Sequence, residues 1–268
     1  MSFFNHTGAA FSLGLALLFA IAAGLVGSFG LMKRMLLAGD VISHIALPGL
    51  GLAFLLKINP ILGAASTLFL GTLLIWHVQK RTGLATENVI GVVFAASLGI
   101  GAAVTPSEDL LEALFGTNKS ISLSNFLLGA LAVALVISVV WKMRDRLILN
   151  VFSSELAAAT GVNIDRVNLY FLLLFSLTVL VGLRFMGSLL TGSLIIVPAA
   201  IGRRFSTRLS EFLIASAVAS LFSVGTGFFL SRFAPKFGPG PSIVLVASVL
   251  FALSLTRAGH SFSGKAKT

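Results

Sequence analysis

Long, nearly unbroken runs of apolar residues fill this chain, and short polar or glycine-containing connections separate them. Each run is close to the roughly 17 to 25 residues that an α-helix needs to cross a hydrocarbon core about 30 Å thick. The runs are continuous and do not alternate with period two, which disfavours a membrane β-barrel. The pattern predicts one all-α polytopic membrane domain over residues 1–268, with about nine transmembrane helices at residues 9–32, 36–56, 58–77, 87–105, 122–141, 167–183, 186–202, 209–231 and 241–256.

Composition strengthens this prediction and removes several classes of function. Of the 268 residues, 57% are hydrophobic and 10% are charged, and the mean hydropathy is +1.03, whereas charged residues make up about 25% of a soluble domain. The chain contains no cysteine, which excludes disulfides, thiolate metal sites and cysteine nucleophiles. It also lacks a phosphate-cradling Walker A sequence, so we do not expect it to hydrolyse ATP.

The basic residues are unevenly divided between alternate connections, and this predicts an orientation. With the N-terminus outside, 14 of the 19 Lys and Arg residues fall on inner segments, and only five fall on outer ones: Lys57, Lys119, Arg184, Arg232 and Lys236. Because basic loops are retained on the cytoplasmic side, we expect an outside N-terminus and a cytoplasmic C-terminus. The net charge of +10 then reflects membrane topology, and no nucleic-acid partner is expected.

The second apolar run holds the strongest candidate for a functional site. Asp40 and His44 are four residues apart, so a helix presents both on one face, about 5 to 6 Å apart. Ionisable groups inside a membrane are costly and usually functional, and a carboxylate with an imidazole suits zinc and other first-row divalent metals. A mutual hydrogen bond that only fixes helix packing is the alternative. Pro48 is expected to kink this helix and free a carbonyl near His44.

Two further segments carry predictions of their own. In the inner connection, residues 142–166, a serine at 153 or 154 can cap a short helix that Gly161 ends, which suggests a docking element on the cytoplasmic face. In the seventh run, glycine, serine and threonine cluster between residues 187 and 193. Small residues of this kind predict that the seventh helix approaches a neighbouring helix closely.

Six short motifs, taken together, resemble the membrane permease subunits of ATP-binding-cassette importers for zinc, manganese and related metals. They occur in that family's order over nearly the whole chain, although Asn88 and Ser153 stand where the family usually has acidic residues. The motifs are GDVISHIALPG at residues 39–49, ENVIGVVF at 87–94, LFGTN at 114–118, Phe152 with Glu155, Ala157 and Gly161, GSLL at 187–190 leading to IIVPAA at 195–200, and GPSIVL at 240–245.

The resemblance implies both an architecture and partners. The fold would be that of the type II ABC importers, similar to the vitamin B12 permease, in a homodimer within the prokaryotic plasma membrane. Two cytoplasmic ATP-binding subunits and an extracytoplasmic metal-binding protein would complete the importer. Asp40 and His44 match positions that the family uses in its translocation pathway. The inner-loop motif, with Phe152, Glu155 and Gly161, is implied to couple to the ATPase.

Physical reasoning adds a hypothesis to that resemblance. If the second helices of two copies face each other, two Asp40 and two His44 side chains make a four-donor set that a tetrahedral zinc accepts. Binding should be transient, because conduction requires that the ion also leaves, so no stably bound cofactor is expected. Manganese and iron also fit these donors, while imidazole favours zinc. An ion-coupled secondary metal transporter and an intramembrane hydrolase are the alternatives, although the latter lacks a second polar cluster.

Overall fold

The computed structural model of the chain describes residues 2–35, 38–104, 122–152, 160–233 and 238–256, with residues 2–9 and 152 described as backbone only. Nine segments within these ranges are long and apolar enough to cross a membrane, as the sequence predicts, and the second of them consists of two helices. The helices are α1 (Ser2–Met32), α2 (Ala38–Ile45), α3 (Leu47–Leu55), α4 (Pro60–Thr82), α5 (Thr86–Val104), α6 (Leu123–Phe152), α7 (Ile164–Met186), α8 (Ser188–Phe205), α9 (Leu209–Phe233) and α10 (Pro239–Thr256).

Capping residues explain where several helices begin and end. The side chain of Asn59 accepts a hydrogen bond from the backbone N–H of Ile61 at the start of α4, and Gly83 follows the last residue of that helix with φ 68°. Asn163 caps α7 in the same way by accepting from the N–H of Arg166. Asparagine before a helix and left-handed glycine after it satisfy backbone groups that have no partner within the helix.

The second span is broken beside His44, as the position of Pro48 predicts. Helix α2 ends at Ile45 and α3 begins at Leu47, with Pro48 in its first turn. Pro48 has no N–H, so it cannot donate to the carbonyl of His44 one turn earlier. The carbonyl of Ala46 accepts from the N–H of Leu50 at 3.0 Å and, from α4, the hydroxyl of Thr67 at 3.5 Å.

Helix α6 is longer than its apolar run. The run ends at residue 141, yet the helix continues to Phe152. Residues 142–152 contain neither glycine nor proline, Leu147 is fully buried, and Asn150 donates from Nδ2 to Oδ1 of Asn168 in α7 at 2.9 Å. Helix propensity and packing therefore carry α6 beyond the apolar run. The short helix predicted at residues 153–161 lies largely outside the described residues.

Helices α7 and α8 are joined by a single residue, Gly187. Its backbone, with φ 82° and ψ 166°, lies in a region that is essentially restricted to glycine. The hydroxyl of Thr191 donates to the carbonyl of Gly187 at 2.7 Å and stabilises the first turn of α8. The turn lets two consecutive spans reverse direction without a longer loop.

The packing order places α2 in the interior of the bundle. Helix α1 packs against α6, α7, α8 and α9, while α8 packs against α1, α2, α7, α9 and α10. Helix α2 contacts α4, α5, α7 and α8, and α3 contacts α4 and α5. Asp40 and His44 are thereby held on a helix that is surrounded on most sides by other helices.

Candidate metal site

Asp40 and His44 occupy the first two turns of α2. The distance from Oδ1 of Asp40 to Nε2 of His44 is 4.0 Å, which is too long for a hydrogen bond. The mutual hydrogen bond that would make the pair a packing element is therefore not formed. Two ligand atoms on one tetrahedral zinc, each about 2.0 to 2.2 Å from the metal, lie about 3.4 Å apart. The pair needs only a small side-chain adjustment to reach a common ion.

The imidazole of His44 is half-buried and has two different nitrogen environments. Its ring lies 5.6 Å from the ring of Phe94 in α5, measured between centroids. Nδ1 is buried and has no hydrogen-bond partner within the described part of the chain. Nε2 is the atom that faces Asp40. The ring is thus held with one nitrogen directed to the carboxylate side of α2.

The carboxylate of Asp40 is directed out of the single copy. Its side chain is 52% exposed, against 19% for His44. Its position in the first turn of α2 favours a negative charge, because the helix dipole is positive there. A carboxylate exposed to lipid would cost roughly 2.5 to 3.5 kcal/mol at the bilayer centre. The exposed side of Asp40 is therefore expected to face water, a cation or another protein surface.

Gly192 of α8 forms the wall behind Asp40. A Cβ atom added to Gly192 would lie 3.0 Å from Oδ1 of Asp40 and 3.3 Å from its Cα. The close approach of the seventh span to a neighbour, predicted from its small residues, is confirmed, and the neighbour is α2. The sequence predicted a helix-packing role for Gly192, with lining of the pathway as the alternative, and it did not assign Phe94 to the site. The small-residue cluster was the available signal for Gly192, while the contact between Phe94 and His44 depends on how α5 packs.

The other predicted residues are only partly within the described ranges. Phe152 is the last residue of α6, and its side chain is outside the described residues, as is the whole of Glu155. Gly161 lies in the connection that precedes α7, with φ 78°, a conformation that glycine adopts without strain. The proposed coupling role of all three residues stays a prediction.

The described residues of one copy offer an incomplete metal site. Among the described residues, no three His, Cys, Asp or Glu side chains are grouped closely enough to hold a metal ion together. Zinc sites normally use three or four protein ligands. Asp40 and His44 can therefore supply half of a tetrahedral site, and the remaining donors must come from elsewhere.

A bundle of membrane-length apolar helices with an ionisable pair on one of them is typical of membrane transport proteins. The chain matches the model of the ABC 3 transport family over residues 9–258, and it belongs to that family. It is 30% identical over 250 residues to the high-affinity zinc uptake system membrane protein ZnuB of Haemophilus influenzae, covering 90% of this chain and 95% of that protein. It is 31% identical over 244 residues to the manganese transport system membrane protein MntC of Halalkalibacterium halodurans, covering 89% and 83%.

A solved structure of a similar protein has the same fold as this chain. PsaBC from Streptococcus pneumoniae, in complex with Fab, superimposes with a TM-score of 0.78 at 25% sequence identity, covering 91% of this chain and 89% of that one. The predicted ABC importer fold is confirmed, and the chain is an integral membrane transport subunit rather than an enzyme. Membership of an ABC family also disfavours the secondary-transporter alternative.

Proposed function

We propose that two copies of this chain form the membrane pathway of an ABC importer for divalent metal, and that zinc passes between paired Asp40 and His44 side chains. The observation that carries this proposal is the half-exposed carboxylate of Asp40, 4.0 Å from the imidazole of His44, on a span of an ABC 3 family member. The relatives named for zinc and manganese uptake support a divalent metal as the substrate.

The need for a second copy follows from the donor count. At this site the described residues of one copy offer one carboxylate and one imidazole, and a tetrahedral zinc takes four donors. A two-fold axis beside Asp40 would bring an identical pair opposite the first and complete the set. It would also cover the exposed carboxylate, which removes the cost of leaving it against lipid.

Helix α5 supports the same arrangement. Phe94 of α5 lies against His44, so α5 borders the site. Gly91, Ala95 and Gly99 are exposed and one turn apart on this helix, and a Cβ at either glycine would meet nothing within 4 Å. Small residues in a row let membrane helices approach closely. A second copy packed near this stripe would lie next to the open side of Asp40.

The chemistry of the pair favours zinc over manganese or iron without excluding them. Imidazole nitrogen is a good zinc ligand, while carboxylate oxygen suits zinc and manganese alike. A transported ion must also be released, so a site with a few donors of ordinary strength is preferable to a closed structural site. The proposed substrate is therefore zinc, with manganese as the second candidate.

The partners and orientation complete the proposal. The distribution of basic residues supports an outside N-terminus and a cytoplasmic C-terminus. The connection between α6 and α7 then lies inside, where Phe152, Glu155 and Gly161 would contact a pair of ATP-binding subunits. A metal-binding protein would deliver the ion to the opposite face. ATP hydrolysis on the partner subunits would drive the alternation of the pathway.

Uptake of radioactive zinc and manganese tests the proposed function. Cells that lack their own importers would express this chain with its cognate ATPase and metal-binding protein. We expect zinc uptake that exceeds manganese uptake and that disappears when the catalytic glutamate of the ATPase is replaced. Uptake that continues with the inactive ATPase would contradict the ABC importer and favour a secondary transporter.

Cross-linking tests the paired site separately. The chain has no cysteine, so a single Asp40→Cys substitution gives one thiol per copy. We expect a short bifunctional thiol reagent to join two copies of Asp40→Cys in membranes, because the proposed axis runs beside this residue. Phe222→Cys, at an exposed position of α9, serves as the control and should not cross-link. Equal cross-linking of the two variants, or none at Asp40→Cys, would contradict the paired arrangement.

A further inference from the structure

Lys33 is an unusual residue of this chain because its ammonium group is largely withdrawn from water. It follows the last residue of α1, and burial lowers the pKa of Lys33 to about 8 from an ordinary value of 10.5. Its Nζ lies 5.1 Å from the centroid of the Phe171 ring. The ion pairs formed by the described residues do not include Lys33. A buried cation that finds no anionic partner among the described residues depends on its other polar contacts there, because burying a charge is costly.

Those contacts bring three parts of the chain together. Nζ of Lys33 donates to Oδ1 of Asn168, near the start of α7. The same oxygen accepts from Nδ2 of Asn150, near the end of α6, at 2.9 Å. Asn150 and Asn168 lie on α6 and α7, the two helices that adjoin the connection carrying Glu155. The amide oxygen of Asn168 therefore joins both flanks of that connection to the end of α1.

Lys33 is also close in sequence to the candidate metal site. Asp40 is seven positions after Lys33, and α2 begins between them at Ala38. The turn after α1 is fixed by backbone bonds from Lys33 N–H to the Phe29 carbonyl and from Met35 N–H to the Gly30 carbonyl. A displacement of the α6 and α7 ends would therefore act on the short segment that leads into α2.

We propose that Lys33, Asn150 and Asn168 form a coupling cluster that transmits a displacement of the adjoining ends of α6 and α7 to the helix carrying Asp40 and His44. This inference rests on the proposed function, since it presumes an ATPase on the inner face. The three residues are positioning residues, because none of them touches the metal donors. The bond from the charged Lys33 to Asn168 is of the stronger, charge-assisted kind, and the neutral bond from Asn150 shares its acceptor oxygen, so the two bonds form one network.

The ratio of zinc transported to ATP hydrolysed tests the coupling cluster. The complete importer would be reconstituted in lipid vesicles with the metal-binding protein and ATP on the appropriate sides. For Lys33→Met and Asn168→Leu we expect ATP hydrolysis near the wild-type rate and a fall of about threefold to thirtyfold in zinc per ATP, the range found for residues that carry coupling. Lys33→Arg keeps a charged donor and should restore most of the ratio.

Control variants show whether the fall in the ratio belongs to the coupling cluster. Lys142→Met removes an exposed lysine from α6 and should leave the ratio unchanged. An unchanged ratio in Lys33→Met, or an equal fall of hydrolysis and uptake, would overturn the coupling role. If Lys33→Met and Asn168→Leu do not fold, Asn150→Ala provides the test, because it removes the donor from α6 and leaves the contact between Lys33 and Asn168 in place. A wild-type ratio of zinc to ATP in Asn150→Ala would then overturn the coupling role. Wild-type importer without ATP-driven zinc uptake would instead refute the proposed function, and the coupling role with it.

Discussion

Replacing Asp40 by asparagine is expected to lower zinc uptake by at least about tenfold, because even the loss of an outer-shell partner costs a metal site that much. Asparagine keeps the shape of the side chain and removes its charge. The half-exposed carboxylate is the negative donor of the pair, and its charge offsets the cost of taking a cation out of water. The measurement is the initial rate of radioactive zinc uptake in Asp40→Asn and wild type at equal amounts of permease in the membrane.

Companion variants make this result specific to the site. Asp145→Asn removes the charge of a carboxylate that is 95% exposed near the C-terminal end of α6, and it should transport zinc as the wild type does. His44→Gln should lose uptake to a degree similar to Asp40→Asn, since it removes the nitrogen donor of the same pair. Wild-type uptake in Asp40→Asn would show that the carboxylate of Asp40 is not needed on the metal pathway.

The spans could be read from the sequence because the cause of each one is local. An apolar run of sufficient length has no other stable arrangement in a bilayer than a helix that satisfies its own backbone groups. Residues with a special backbone role carry equally local signals. Pro48 marks the break between α2 and α3, and Gly187 marks the one-residue turn between α7 and α8. The end of α6 at Phe152 was not predicted from the apolar run, because helix propensity and the packing of Leu147 and Asn150 extend that helix beyond it.

Only part of the candidate site could be predicted from the sequence, because the rest depends on tertiary packing. The pairing of Asp40 with His44 follows from helical spacing and needs no tertiary structure. The placement of Phe94 beside His44 and of Gly192 behind Asp40 depends on how α5 and α8 pack against α2. The exposure of Asp40 also depends on that packing. The contact between Lys33 and Asn168 spans 135 residues of sequence, and no local pattern indicates it.

Gly27→Ala is expected to destabilise the folded permease by more than about 3 kcal/mol, beyond the usual range for overpacking. Gly27 of α1 faces the backbone of α8, and a Cβ atom there would lie 2.0 Å from the carbonyl oxygen of Ile195. A backbone atom cannot rotate away as a flexible side chain can, so α1 and α8 would have to separate. Thermal unfolding of purified permease in detergent, followed by loss of the monodisperse protein, measures the effect.

Gly225→Ala is the matched control for this prediction. Gly225 is also a glycine within a helix, α9, and a Cβ atom there would meet nothing within 4 Å. It should unfold at the same temperature as the wild type or slightly higher, because alanine favours a helix over glycine by about 1 kcal/mol.

Ile195 also lies against Gly39, beside Asp40, and its Cγ2 atom would be 3.2 Å from a Cβ added to Gly39. Folded Gly27→Ala protein should therefore lose zinc uptake too, and wild-type stability in Gly27→Ala would show that α1 and α8 do not approach so closely.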